Sequence, residues 1–167
     1  MRFTLALLAA LASSNSLAAP PLPAAVHEVV RAMSADCKSA GGKPGSSPSL
    51  VSTIDVNGDG QMDYVIYTAG FVCTGAESLF VGAGGGSVEV FVSAADGRAA
   101  SVFEHVASDM RVQQGQVWLA VRGPLCGQKV TDDTPLYEMH ACWRSLQWDA
   151  SHRRLDFAPL SSVQPYK

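Results

Sequence analysis

The sequence predicts an α+β domain, mainly antiparallel β in a sandwich or partly open barrel, with one N-terminal helix packed on the sheet and two disulfides. Three observations lead there. Helical spacing of apolar residues is convincing in one stretch, residues 24–39, and nowhere later. Beyond residue 50, short β-branched and aromatic runs alternate with Gly, Asp and Pro turn signals. Four cysteines, an even number, all follow an apolar N-terminal segment. The 167 residues suit one domain, and 47 % hydrophobic against 16 % charged residues can build a core, which excludes disorder for most of the chain.

The elements follow in chain order. Met1-Arg2, the apolar run Phe3–Ala12 and the small residues of Ser16-Leu17-Ala18 have the three-part pattern of a secretory signal peptide. About ten apolar residues are too few to span a bilayer. Residues 1–18 are therefore expected to be removed, leaving 19–167 as a single β-rich domain. No later run is long enough for a membrane span, and a periplasmic or secreted location is expected. Ala24–Ser39 places Val26, Val29, Val30, Met33 and Cys37 on one helical stripe, with Pro23 before it and Gly41-Gly42 to end it. Lys43–Ser49 reads as a loop. Strands are expected at Leu50–Ile54, Tyr64–Thr68, Ser87–Ser93, Ala100–Val106, Arg111-Val112 and Gln116–Arg122, with Tyr137–Trp148 and Arg154–Phe157 as a final hairpin. In an exporting context the cysteines are expected to be oxidised. Of the three pairings open to them, Cys37–Cys73 and Cys126–Cys142 close short loops without crossing.

The densest chemistry lies between the first two strands, in Asp55-Val56-Asn57-Gly58-Asp59-Gly60-Gln61-Met62-Asp63. Side-chain oxygens fall at positions 1, 3, 5 and 9, and Gly at position 6 permits a sharp reversal. Hard cations such as calcium take six to eight oxygen ligands, and Asp55, Asn57, Asp59, the Gln61 carbonyl and Asp63 would supply them locally. Magnesium, which demands tighter geometry and dehydrates reluctantly, suits the loop less well. The loop resembles the D-x-[DN]-x-D-G-x-x-D calcium loop of EF-hand and dockerin proteins and of FG-GAP/VCBS repeats, over about thirteen residues. Position 12 is Ile66 rather than the Glu of an EF-hand, and a strand sequence follows rather than a helix. The strand–loop–strand form of FG-GAP/VCBS repeats is the nearer likeness; it implies one bound Ca2+ but not their propeller, which one copy cannot build.

Other chemistries lack their patterns. No C-x-x-C or paired His-Cys group marks a zinc site, and no H-E-x-x-H or G-x-S-x-G occurs. Gly82-Ala83-Gly84-Gly85-Gly86 has no following Lys-Ser/Thr, so a hairpin connection is expected there rather than a phosphate loop. A net charge of −3 with scattered basic residues argues against nucleic acid. The expectation is a monomeric binding or accessory domain, enzyme inhibition included, whose partner is an envelope or extracellular protein or glycan. The alternative is a small secreted hydrolase with an unrecognised His/Asp site, for which Glu104-His105 with Asp109 is one candidate acid–base group.

Overall fold

A computed structural model describes residues 21–166; the signal-peptide expectation for residues 1–18 lies outside them. Helix α1, Ala24–Ser39, forms where the helical stripe predicts it and buries Val26, Met33 and Cys37. Three backbone bonds close its end, the Gly42 N–H reaching the Cys37 carbonyl at 2.8 Å, with Gly41 left-handed at φ 80°.

The strands are β1 (Lys43–Pro44), β2 (Val51–Ile54), β3 (Asp63–Tyr67), β4 (Cys73–Thr74), β5 (Val81–Gly82) and β6 (Gly85–Ser93). They continue as β7 (Ala99–Ala107), β8 (Asp109–Gln113), β9 (Gln116–Arg122), β10 (Ala141–Asp149), β11 (Arg154–Phe157) and β12 (Gln164–Pro165). All pairings are antiparallel. One sheet runs β2-β3-β6, with β5 and β7 both on β6; the other runs β11-β10-β9-β8, with β12 on β10. Between them β7 passes through Ser108 into β8, and the Ser108 N–H bonds the Ala120 carbonyl of β9 at 2.9 Å. The two sheets thereby curl together as a half-barrel.

Its interior holds Ile54, Val65, Val88, Val90, Val117, Leu119, Val121, Leu146 and Leu155. Each such side chain contributes about 1.5–3 kcal/mol through burial. The outer face of the first sheet carries α1, where Val26 and Met33 meet Leu50, Tyr64, Ile66 and Phe91. A register shift between Val90 and Phe91 accompanies this division: Val88 and Val90 face the barrel, Phe91 the helix. The outer face of the second sheet carries Trp118 and Trp143, with the Arg111 guanidinium 4.3 Å from the Trp143 ring centroid.

Both expected disulfides are present, Cys37–Cys73 and Cys126–Cys142, and no cysteine is free among the described residues. The first ties the end of α1 to β4. A Cβ on Gly42 would lie 2.4 Å from the Cys73 sulfur, so glycine is required beside the bridge. Lys43–Pro44, expected as loop, pairs with β4 next to that bridge. Tyr137 also falls outside the last long strand: Leu136–Glu138 is a 3-10 turn, and β10 begins at Ala141.

Candidate functional site

The acidic loop joins β2 to β3, whose ends meet at the Ile54–Asp63 pair. Gly58 and Gly60, at φ 75° and 85°, make the left-handed steps that fold it back on itself. Asp55 organises the turn: one carboxylate oxygen accepts the Gly58 and Asp59 N–H groups at 2.8 and 3.2 Å, the other the Gly60 N–H at 2.9 Å. Asn57 accepts the Asp59 N–H at 2.9 Å and donates its amide to the Asp59 carboxylate at 3.0 Å. The Gln61 N–H donates to Asp59 at 2.8 Å. That bond, then the Asn57 amide, holds the Asp59 carboxyl below the ordinary aspartate range.

Asp63 is different in kind. It is fully buried, and its two oxygens accept the Ser93 N–H at 2.8 Å and the Val56 N–H at 2.9 Å. Burial pushes its carboxyl up; the two N–H groups oppose this, and the charges of Asp59 and Asp55 add to it. Val56, the residue Asp63 holds, packs against the interior cluster near Val117, Leu146 and Leu155. The loop thus covers one end of the half-barrel, pinned by an apolar side chain below and a buried carboxylate beside it.

The donors are all oxygen, as a hard cation requires. Asp55, Asn57, Asp59 and Gln61 gather in one turn, whereas Asp63 lies beneath it with one N–H on each carboxylate oxygen. Among the described residues no group of three His, Cys, Asp or Glu side chains stands in metal-holding geometry. A carboxylate offers about four acceptor sites, so Asp63, with two taken, keeps capacity.

No known protein family, curated protein or solved structure matches this chain.

Among the described hydrogen bonds none joins His105 to Glu104 or Asp109. His105 packs edge-on to Phe157, with centroids 5.2 Å apart, and burial lowers its pKa. Glu104 accepts the Ser87 hydroxyl at 3.3 Å, and Asp109 accepts the Met110 N–H at 2.8 Å. The His–carboxylate pair that does form, His152–Asp149 at 2.6 Å, lies in the exposed β10–β11 turn, where Asp149 also accepts the Ser151 and His152 N–H groups. Sequence reasoning missed Arg144. It is buried in the half-barrel, donates to the carbonyls of Leu125 and Ala158, and lies 5.3 Å from the Phe157 ring centroid. Burial lowers its pKa. Strand alternation was the available signal, since Arg144 shares a face with Cys142 and Leu146.

Proposed function

We propose that this chain is an exported binding or accessory domain, periplasmic or secreted, whose Asp55–Asp63 loop takes one calcium ion as a structural ligand. The supporting observation is Asp63: a fully buried carboxylate with no cationic partner among the described ion pairs, raised in pKa partly by two neighbouring aspartates. A divalent cation at the loop would offset that repulsion. Asp55, Asn57, Asp59 and Asp63 would hold it by side-chain oxygens and Gln61 by its carbonyl. With no position-12 Glu, affinity in the range of extracellular modules, about 10⁻⁴–10⁻³ M, is expected.

Two disulfides with no free thiol among the described residues suit an oxidising compartment. No helix among the described residues is long and apolar enough to cross a membrane. The accessory reading rests on the half-barrel's interior being filled by side chains, which leaves recognition to its ends and outer faces.

The test is thermal unfolding of the mature protein in millimolar calcium and in EDTA. Calcium is expected to raise the Tm, and Asp55→Ala or Asp59→Ala to abolish the rise. Superimposable wild-type curves would refute the calcium assignment. N-terminal sequencing of protein from the export compartment tests the leader, with Ala19 or Pro20 expected as the first residue.

A further inference from the structure

We propose that the hollow between the β6–β7 hairpin and the end of β10 is a binding groove for a carboxylate-bearing sugar. It encloses about 480 Å³, within the range of small-molecule sites, and opens to solvent along one side. Arg98 and Arg153 stand on its walls with the half-buried ring of Trp148, and Ala94 and Ala99 keep its surface shallow. No carboxylate lines it, although acidic residues outnumber basic ones 15 to 12 in the chain. Asp96 on the same hairpin pairs with Arg98, so the uncompensated positive charge of the hollow is that of Arg153.

The two arginines differ in readiness. Arg98 places Nε and Nη2 on one Asp96 carboxylate oxygen, each at 2.7 Å, which fixes the guanidinium and leaves Nη1 to point elsewhere. Arg153 enters no ion pair among the described residues. It is exposed and sits at φ 51°, a backbone conformation that non-glycine residues seldom adopt, in the turn that Asp149 holds. A guanidinium takes a carboxylate through paired N–H bonds. An indole face covers the C–H face of a pyranose ring, and the Ser101 hydroxyl bordering the same hollow can serve a ring hydroxyl. Inorganic anions would leave the indole and the alanine surface unused; neutral sugars would leave the arginines unused. An acidic sugar uses both.

The claim is independent of calcium at the neighbouring loop, so the test runs in EDTA and again in calcium. The probes are sodium glucuronate, methyl glucoside and sodium sulfate at equal ionic strength, followed through the ¹⁵N-labelled indole and guanidinium N–H signals of the mature protein. Glucuronate is expected to shift the Trp148 indole saturably, with Trp148→Phe assigning the peak, while the other two probes leave it in place. Arg98→Gln with Arg153→Gln should weaken binding about tenfold or more at unchanged Tm, because both side chains are exposed. Arg153→Gln alone, which spares the Asp96 pair, should weaken it less. Absence of a saturable shift, an equal response to sulfate or methyl glucoside, or wild-type affinity in the folded double variant would each overturn the proposal.

Discussion

Asp63→Ala removes the acceptor of two backbone N–H groups in one step. The Val56 and Ser93 donors, at 2.9 and 2.8 Å, meet a carboxylate that is fully buried, so water does not replace it without local opening. Leaving a buried donor unpaired costs about 1–3 kcal/mol, which places the two together at about 2–6 kcal/mol. Removing a carboxylate that burial and two aspartates disfavour returns part of this. A net loss of about 3 kcal/mol is expected, and for a chain of this size the Tm should fall by about 6–12 °C. Asp63→Asn keeps one acceptor but turns an amide N–H toward the second donor, so it should lie between wild type and alanine. The assay is urea unfolding with disulfides intact, in EDTA to exclude any metal contribution. An alanine variant within about 1 kcal/mol of wild type, less than one unpaired buried donor should cost, would show that Asp63 is not the clip between loop and sheet.

The same residue predicts a pH dependence. Because the folded state raises the Asp63 pKa, it binds this proton more tightly than the unfolded chain does. The associated stability is present below the ordinary aspartate range and is lost as pH rises through the raised value; the difference between wild-type and Asp63→Asn unfolding free energies, measured from pH 3 to 8 in EDTA, should show that loss. Cys37–Cys73 and Cys126–Cys142 span separations of 36 and 16 residues, and replacing either pair by alanine should cost about 3–4 kcal/mol in urea unfolding. Protein denatured without reductant should show no titratable thiol. Gly85→Ala places a Cβ 1.9 Å from the Ala107 carbonyl oxygen at φ 108° and should cost about 3 kcal/mol or more, whereas Gly82→Ala meets nothing within 4 Å and should stay within about 0.5 kcal/mol. Paired melting curves of the two glycine variants check this contrast.

The helix was legible because its apolar stripe is long and uninterrupted, and β9 and β11 because turn residues bound them closely. Gln114-Gly115 shows why: both residues have positive φ, at 53° and 73°, so the β8–β9 connection is specified by two positions. The disulfide pairing was legible from short loops that do not cross. Less legible were features set by distant partners. Lys43–Pro44 becomes a strand because the Cys37–Cys73 bridge brings β4 beside it. Gly85 and Gly86 are ladder residues of β6 rather than connection; a Cβ on Gly86 would meet the Ala69 nitrogen at 2.7 Å, so they are small because other backbone passes close by. The loop's oxygen pattern was plain in the sequence, but the division of labour within it was not. Nothing in the spacing distinguishes Asp55, which accepts bonds inside the turn, from Asp63, whose partners include Ser93 thirty residues away.

That division bears on what the end of the half-barrel can do. Ser93 lies at the close of β6, gives its N–H to Asp63 and its hydroxyl to the Met62 carbonyl at 2.7 Å, and also borders the hollow that holds Arg98 and Trp148. Val56, held by the other oxygen of Asp63, shares a second small hollow with Trp148. The acidic loop and the groove therefore meet at Ser93, whose N–H Asp63 holds. One oxygen of Asp63 holds the Ser93 N–H and the other the Val56 N–H. The loop's aspartates and the groove's arginines form no pair among the described residues: Asp55 and Asp59 accept bonds within their own turn, and Arg98 pairs with Asp96. Of the groove's two arginines, Arg153 is the one without such a partner among the described residues, which is why the groove, rather than the loop, is the surface expected to meet an acidic ligand.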